Sequence, residues 1–334
     1  MDSCANIPEV PGELIDFIKT GSSFIIAGHK EPDGDCIGSQ LALKSVLLRL
    51  GKEAVACSAG PFKRTELRDY ISQLVEDPHR FSKPDTKVII VDCSSMERTG
   101  EISEYIDNYP HAVIDHHAAA AIAFPPSEAQ SPVYIDAASP SCTLLIYRLI
   151  KALGEKLTED EATLLLFGLC TDTGFFRHMT EKNAEAFEAT AEMIKCGASP
   201  KMIFNIMNGG KSLSSRVLVG HVLARTESHF NGRLLLSWET LDEFYTFGFE
   251  SRDSDALNQM MSSIQGVEAT IIIRQECVEN CTVSLRSIDN INVAQIAASY
   301  DGGGHKNAAG LTMKGDITFV KNEMLNSFAK VFND

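Results

Sequence analysis

The chain has 334 residues with a formal net charge of −15, and is 44% hydrophobic and 22% charged; the length favours two domains and the composition is ordinary for a globular protein. No apolar run reaches the roughly 18 residues a membrane span needs, and residues 1–17 carry early acidic side chains instead of a basic-then-apolar leader, so a cytoplasmic protein with no membrane partner is expected. The acidic balance argues against tracking a long nucleic acid, which calls for a basic stripe, and leaves room for a short anionic ligand.

In chain order, residues 23–28 (SFIIAG) form a short apolar run ending in glycine and read as a buried strand. Residues 36–50 show helical spacing of Ile37, Leu41, Val46, Leu47 and Leu50, with Gly51 as a stop. Residues 54–57, 87–91 (KVIIV) and 112–114 read as further strands, and helices are expected at about 139–152, 158–170 and 182–196. Strands alternating with helices imply a mostly parallel, doubly wound α/β sheet. A connecting stretch is expected over 197–215, rich in glycine and serine. Beyond it Asn231-Gly232 signals a hairpin between 227–230 and 233–238. Strands at 268–274 and 282–286 and helices at 293–299 and 318–332 complete a smaller mixed α/β domain. The expected organisation is a domain over 1–196, a linker over 197–215 and a second domain over 216–334. Nine cysteines, an odd number without C-x-x-C spacing, argue against a disulfide framework or a cysteine zinc site. Cys36, Cys93 and Cys170 read as small buried residues.

The polar residues that carry chemistry follow the strands. His29, Asp33 and Asp35 follow the first, Asp92 follows KVIIV, and Asp115, His116 and His117 follow the strand at 112–114. The helix at 158–170 delivers Asp172. Carboxyl ends of strands are where open α/β sheets place ligands. Carboxylates cannot converge in a low-dielectric crevice without raised pKa values or cations. With imidazoles beside them, Mn²⁺ or Mg²⁺ is the simpler answer, with Zn²⁺ also suited, and two such ions can share a carboxylate and an activated water. His79, His111, His221 and His229 lack this context and read as structural or surface residues.

At GHKEPDGDCIGS (28–39), VDCSS (91–95), VIDHH (113–117) and GLCTDTGFF (168–176) the sequence resembles the DHH phosphoesterase superfamily, and at SLRS (284–287) and GGGHKNAAG (302–310) the DHH-associated domain. The resemblance spans nearly the whole chain and points to the stand-alone two-domain type, which includes nano-RNases, 3′-phosphoadenosine-5′-phosphate phosphatases and cyclic-di-AMP or pApA phosphodiesterases. It implies an active site in the cleft between domains and two Mn²⁺ ions. His29, Asp33 and Asp92 would hold one; Asp35, Asp92, His116 and Asp172 would hold the other, with Asp92 bridging. Asp115 would orient a ligand histidine through its other ring nitrogen, and His117 would face the substrate phosphate. Arg286, Gly302, Gly303, Gly304 and His305 would bind substrate, the arginine as a fork and the glycines as a backbone nest; Ser94 and Arg98 are further candidates. A homodimer is implied by resemblance alone.

Three departures from the family pattern bear on specificity: Asp301 where a fourth glycine is common, alanines at 118–121 where polar residues are usual, and Arg177-His178 after GFF. The expected activity is hydrolysis of short oligoribonucleotides or dinucleotides such as pApA to 5′-mononucleotides, extending to 3′-phosphoadenosine-5′-phosphate. Cyclic di-AMP is the alternative substrate. Pyrophosphate or polyphosphate fits less well with a GGGH loop, and a non-catalytic nucleotide-binding protein fits less well with a full ligand set.

Overall fold

The computed structural model describes residues 8–81, 83–117, 131–288 and 290–332. The chain forms two compact units, Met1–Gly209 and Gly210–Asp334. No helix among the described residues is long and apolar enough to cross a membrane.

The first unit contains α1 (Gly12–Thr20), β1 (Ser23–Ala27), α2 (Gly34–Arg49), β2 (Glu53–Cys57), β3 (Thr86–Val91), α3 (Ser103–Ile106), β4 (His111–Asp115), β5 (Val133–Ile135), α4 (Cys142–Ala152), α5 (Glu159–Asp172), α6 (Ala184–Lys195) and α7 (Pro200–Asn208). Its five strands are all parallel, in the order β2-β1-β3-β4-β5. The order reverses between β1 and β3, the crevice where such sheets bind ligands. Both faces are covered, which explains the unbroken apolar runs in β1, β3 and β4. Phe24, Ile26, Ile89, Val91, Ala112 and Ile114 pack into one core with α2, α4 and α5. Ile25, Ala27, Val88 and Ile90 pack against Met96, Ile102 and Ile106 on the other face.

Helices α2 and α5 lie antiparallel and almost backbone to backbone. A Cβ at Gly38 would sit 2.6 Å from the Leu164 carbonyl, and one at Gly168 would sit 3.0 Å from both the Asp35 Cα and Oδ1 and 2.4 Å from Thr143 Cγ2. At the far end of the pair, buried Glu161 accepts hydrogen bonds from Ser45 Oγ (2.8 Å) and Arg49 Nε (2.9 Å) of α2. It also closes a capping box with Thr158. Burial pushes this carboxyl up, but the hydrogen bonds from Arg49, the Thr158 amide and Ser45 outweigh it and hold the group below its ordinary value.

The stretch expected as a linker over 197–215 instead carries helix. Ser199 caps α7, Pro200 occupies its first turn, and Ile203 is buried in the first unit's core. Amphipathic α7 was masked in the sequence by the Gly and Ser residues around it.

The second unit contains α8 (Leu213–Ala224), β6 (Glu227–His229), β7 (Leu234–Glu239), α9 (Leu241–Phe247), α10 (Ser254–Ser262), β8 (Ala269–Cys277), β9 (Asn280–Ser287), α11 (Val293–Ala298), β10 (Gly303–His305), β11 (Ala308–Lys314) and α12 (Ile317–Phe332). The mixed sheet runs β10-β11-β9-β8-β7-β6, with β7 and β8 parallel and the other neighbours antiparallel. Helices α11 and α12 cover one face, and α8 and α10 cover the β7–β8 part of the other. The expected Asn231-Gly232 hairpin joins β6 to β7, both residues having positive φ.

Gly168→Ala is expected to destabilise the first unit by about 1–3 kcal/mol through overpacking, read from denaturant unfolding. Glu161→Gln is expected to cost about 1–3 kcal/mol near neutral pH. Because the folded carboxyl titrates below its ordinary value of 4.5, this stabilisation is complete above that pH and is lost as pH falls through the depressed folded value. The gap between wild type and variant should therefore narrow on acidification.

Candidate metal centre and anion-binding row

Three strand ends and one helix end deliver the acidic residues. After β1, Gly28 admits no side chain, since a Cβ there would sit 2.1 Å from Cys36 Sγ. Asp33 caps α2, its Oδ1 accepting from the amides of Asp35 and Cys36 at 3.1 Å each. Asp35 is fully buried in the first turn of α2. The N-terminus of α4 grips its carboxylate: the Cys142 amide donates to Oδ2 at 2.6 Å, and the Thr143 amide and hydroxyl donate to Oδ1 at 2.9 and 2.7 Å. Sequence reading missed Thr143. Asp92 follows β3 in a left-handed conformation, φ 60°, with its amide donating to the Ile114 carbonyl. Asp172 ends α5, and Thr171 before it packs against Gly34.

These side chains converge. His29 Nε2 lies 3.3 Å from Asp92 Oδ2 and 3.9 Å from Asp33 Oδ1. His116 Nε2 lies 3.2 Å from Asp172 Oδ2, 3.4 Å from Asp92 Oδ1 and 3.7 Å from Asp35 Oδ2. Asp92 therefore stands between the two imidazoles. Potential ligand atoms of Asp35, His116 and Asp172 lie within 4.8 Å of one another, as do those of Asp92, His116 and His117, and of His29, Cys36 and Asp92. Burial raises the Cys36 thiol far above its ordinary value, with Asp92 and Asp33 adding to the shift, so it remains a small apolar neighbour.

The donor set fits cations. Asp92 Oδ1 and His116 Nε2 are buried without a hydrogen-bond partner among the described residues. Each ring's other nitrogen faces a carbonyl: His29 Nδ1 faces Lys30 O at 2.8 Å and His116 Nδ1 faces Ser139 O at 3.3 Å. A carbonyl only accepts, so both Nδ1 atoms carry hydrogen and each neutral ring turns the Nε2 lone pair into the cluster. Burial, Asp92 and Asp172 raise the Asp35 carboxyl, with His116 opposing. Burial lowers His29, but Asp33 and Asp92 outweigh it and lift the ring to about 10. The crowded carboxylates thus demand positive charge at the two Nε2 positions, from protons or from divalent ions.

Asp115 takes a different partner from the one expected. Its Oδ1 lies 2.7 Å from His117 Nδ1 and accepts the His117 amide at 3.1 Å. It orients the ring expected to face substrate, not His116. His117 is half-exposed, and a hydrogen on Nδ1 leaves Nε2 open. Ser94 is buried and Arg98 exposed; the Arg98 carbonyl accepts the Lys30 amide at 2.6 Å, tying together the loops after β1 and β3. The alanines at 118–121 lie outside the described residues. Of the histidines read as structural or surface residues, His221 faces Glu243, His229 faces Glu227 and His111 contacts the Tyr109 carbonyl.

In the second unit, register brings the expected substrate residues together. Thr270 of β8 pairs with Arg286 of β9, Arg286 with Ala308 of β11, and Ala308 with His305 of β10. Residues paired across strands share a face, so Arg286 and His305 point to the same side, two strands or about 9.5 Å apart. Ser284, Gly310 and Gly303 form the next row. Arg286 Nη1 donates to Leu285 O at 3.0 Å and Ser284 Oγ at 3.3 Å; its Nε and Nη2 have no protein partner among the described residues. The glycines divide in role. A Cβ at Gly302 would sit 2.5 Å from Gly310 O, and one at Gly304 would sit 2.4 Å from Ala308 O, whereas Gly303 faces open space. Two of the three are required by backbone packing. Asp301 has φ 58°, a left-handed backbone that glycine adopts freely and that aspartate tolerates.

Comparison with known proteins follows the same division. Residues 23–169 match the DHH family, N-terminal domain, and residues 241–334 match the DHHA1 domain. The chain is 30% identical over 293 residues to the "Bifunctional oligoribonuclease and PAP phosphatase NrnA" of Thermus thermophilus, covering 87% of this chain and 84% of that protein. It is 24% identical to the "Cyclic-di-AMP phosphodiesterase GdpP" of Bacillus subtilis, over 90% of this chain but 46% of the longer relative. Among solved structures, an exopolyphosphatase-related protein from Bacteroides fragilis superposes with a TM-score of 0.82 at 23% identity, over 96% of both chains, and so shares the fold. With its motifs in order at the ends of β1, β3, β4 and α5, this chain belongs to the DHH family.

Proposed function

We propose that the chain is a metal-dependent phosphoesterase that hydrolyses short oligoribonucleotides or dinucleotides such as pApA to 5′-mononucleotides, with 3′-phosphoadenosine-5′-phosphate as a further substrate. The observation that carries this reading is the convergence of His29, Asp33, Asp35, Asp92, His116 and Asp172 around orphaned buried atoms. The named activities of the Thermus relative support the substrate class. His29, Asp33 and Asp92 would hold one divalent ion, and Asp35, Asp92, His116 and Asp172 the other, Mn²⁺ by the donor set. When bound, such ions supply an acidified water and neutralise charge on the phosphoryl oxygens.

The chain's own residues do the rest. Asp35 is fixed by the end of α4, so its carboxylate needs no reorganisation. Asp92 is fixed by its own backbone and the Ile114 carbonyl. His117, oriented by Asp115 through Nδ1, would turn Nε2 toward the phosphate, where the imidazolium form, stabilised by that carboxylate, would donate to a phosphoryl or leaving oxygen. Arg286, Gly303 and His305 offer a second anion site on the other unit, and Ser94 and Arg98 lie on the loop after Asp92. Cyclic di-AMP is the second reading, favoured by the likeness to the cyclic-di-AMP phosphodiesterase.

With Mn²⁺, purified protein should cleave pApA faster than cyclic di-AMP in a chromatographic turnover assay; the reverse order would favour the second reading. Asp92→Ala should lower kcat/KM for pApA by about 10³-fold or more, because both ions lose a ligand. Asp115→Asn should lower it roughly 10- to 100-fold with metal content kept, because only the orientation of His117 changes.

A further inference from the structure

The turn that follows Asp172 is built around a strained backbone. Gly174, Phe175 and Phe176 all have positive φ, at 56°, 57° and 69°. Left-handed phenylalanines are strained and persist only where surrounding structure imposes them. Here the turn is pinned from below. The Phe175 amide donates to Cys170 O at 2.7 Å, and the Phe176 amide donates to Thr173 Oγ1 at 3.0 Å. Buried Thr173 in turn donates its hydroxyl to Leu169 O at 2.6 Å, and its carbonyl accepts the His178 amide at 3.1 Å. The two phenyl rings are anchored sideways, Phe175 on Phe204 with centroids 5.2 Å apart and Phe176 on Phe187 at 5.4 Å.

The consequence is where the next two side chains go. Arg177 and His178 fold back over Gly174: a Cβ there would sit 2.9 Å from His178 Nε2 and 3.3 Å from Arg177 Nη2. The guanidinium and the ring touch, Nη2 to Nε2, at 3.5 Å. Both side chains are exposed, and Arg177 has no carboxylate partner among the described residues. Arg64, another cation near Asp33, faces Glu66 instead. A planar fork without a carboxylate partner among the described residues is thus held over Gly174, itself two residues from Asp172.

Resting on the phosphoesterase reading above, we infer that Arg177, held over Gly174 beside His178, binds a second phosphate of the substrate, one nucleotide away from the phosphate that is cleaved. A guanidinium matches a terminal phosphate with two parallel hydrogen bonds. The alternative is a cation at the C-terminus of α5 that adds slightly to stability through the helix dipole and nothing to binding. That account gives no reason for two strained phenylalanines.

The test compares pApA, which carries a second phosphate, with bis(4-nitrophenyl) phosphate, which does not, in wild-type, Arg177→Ala and Arg177→Lys protein with Mn²⁺. A hydrogen bond to a charged group contributes about 1.5–3 kcal/mol, so Arg177→Ala should lower the ratio of kcat/KM for pApA to that for the single-phosphate diester roughly 10- to 100-fold, through KM. Arg177→Lys, which keeps the charge and loses the fork, should fall between. Calorimetric Kd for pApA measured with Ca²⁺ in place of Mn²⁺ should rise by the same factor. An unchanged ratio, equal losses on both substrates, or a lowered Tm with unchanged Kd would overturn the assignment. Wild-type protein that cleaves neither compound would overturn the phosphoesterase reading itself, and this inference with it.

Discussion

The structure depends on one electrostatic constraint: four carboxylates, Asp33, Asp35, Asp92 and Asp172, gather at the carboxyl edge of a buried sheet, each within 4 Å of the Nε2 of His29 or His116. In a low-dielectric setting, like charges gathered in this way repel strongly unless something positive stands between them. The fold supplies part of the answer. Asp35 receives three hydrogen bonds from the start of α4, and Asp33 caps α2. The remainder, the orphaned Asp92 Oδ1 and His116 Nε2, is left for cations.

Much of the scaffold serves to hold that arrangement. The near contact of α2 and α5 through Gly34, Gly38 and Gly168 brings Asp35 and Asp172 to the same end of a helix pair. Glu161 and Arg49 clamp the opposite end. The glycines in DGDCIG and GLCTD are therefore packing residues in the service of the carboxylates beside them. Backbone strain has a similar place: Asp92 and the turn 174–176 adopt left-handed conformations next to the cluster.

Strand positions and the residues that follow them were legible in the sequence, because buried parallel strands are continuous apolar runs and their polar sequels stand out. His29, Asp33, Asp35, Asp92, His116 and Asp172 lie close together in space. What was not legible depends on contacts between distant segments. Asp115 pairs with His117 instead of His116, a choice set by side-chain rotamers two residues apart. Thr143 binds Asp35 across more than a hundred residues. The packing of Gly302 and Gly304 onto β11 and the positive φ of Asp301 appear only once β10 is placed. Helix α7 was missed because its glycine and serine flanks resemble a linker, while its buried face amounts to little more than Ile203.

The second unit carries a different kind of surface, one row of a sheet on which Arg286 and His305 face the same way with Gly303 open beside them. The most direct test of the account is a crystal of the full chain grown with Mn²⁺ and measured for anomalous scattering. The account predicts two peaks, one on each side of Asp92, bounded by His29 and Asp33 and by Asp35, His116 and Asp172. A single peak away from Asp92, or none at millimolar Mn²⁺, would contradict it.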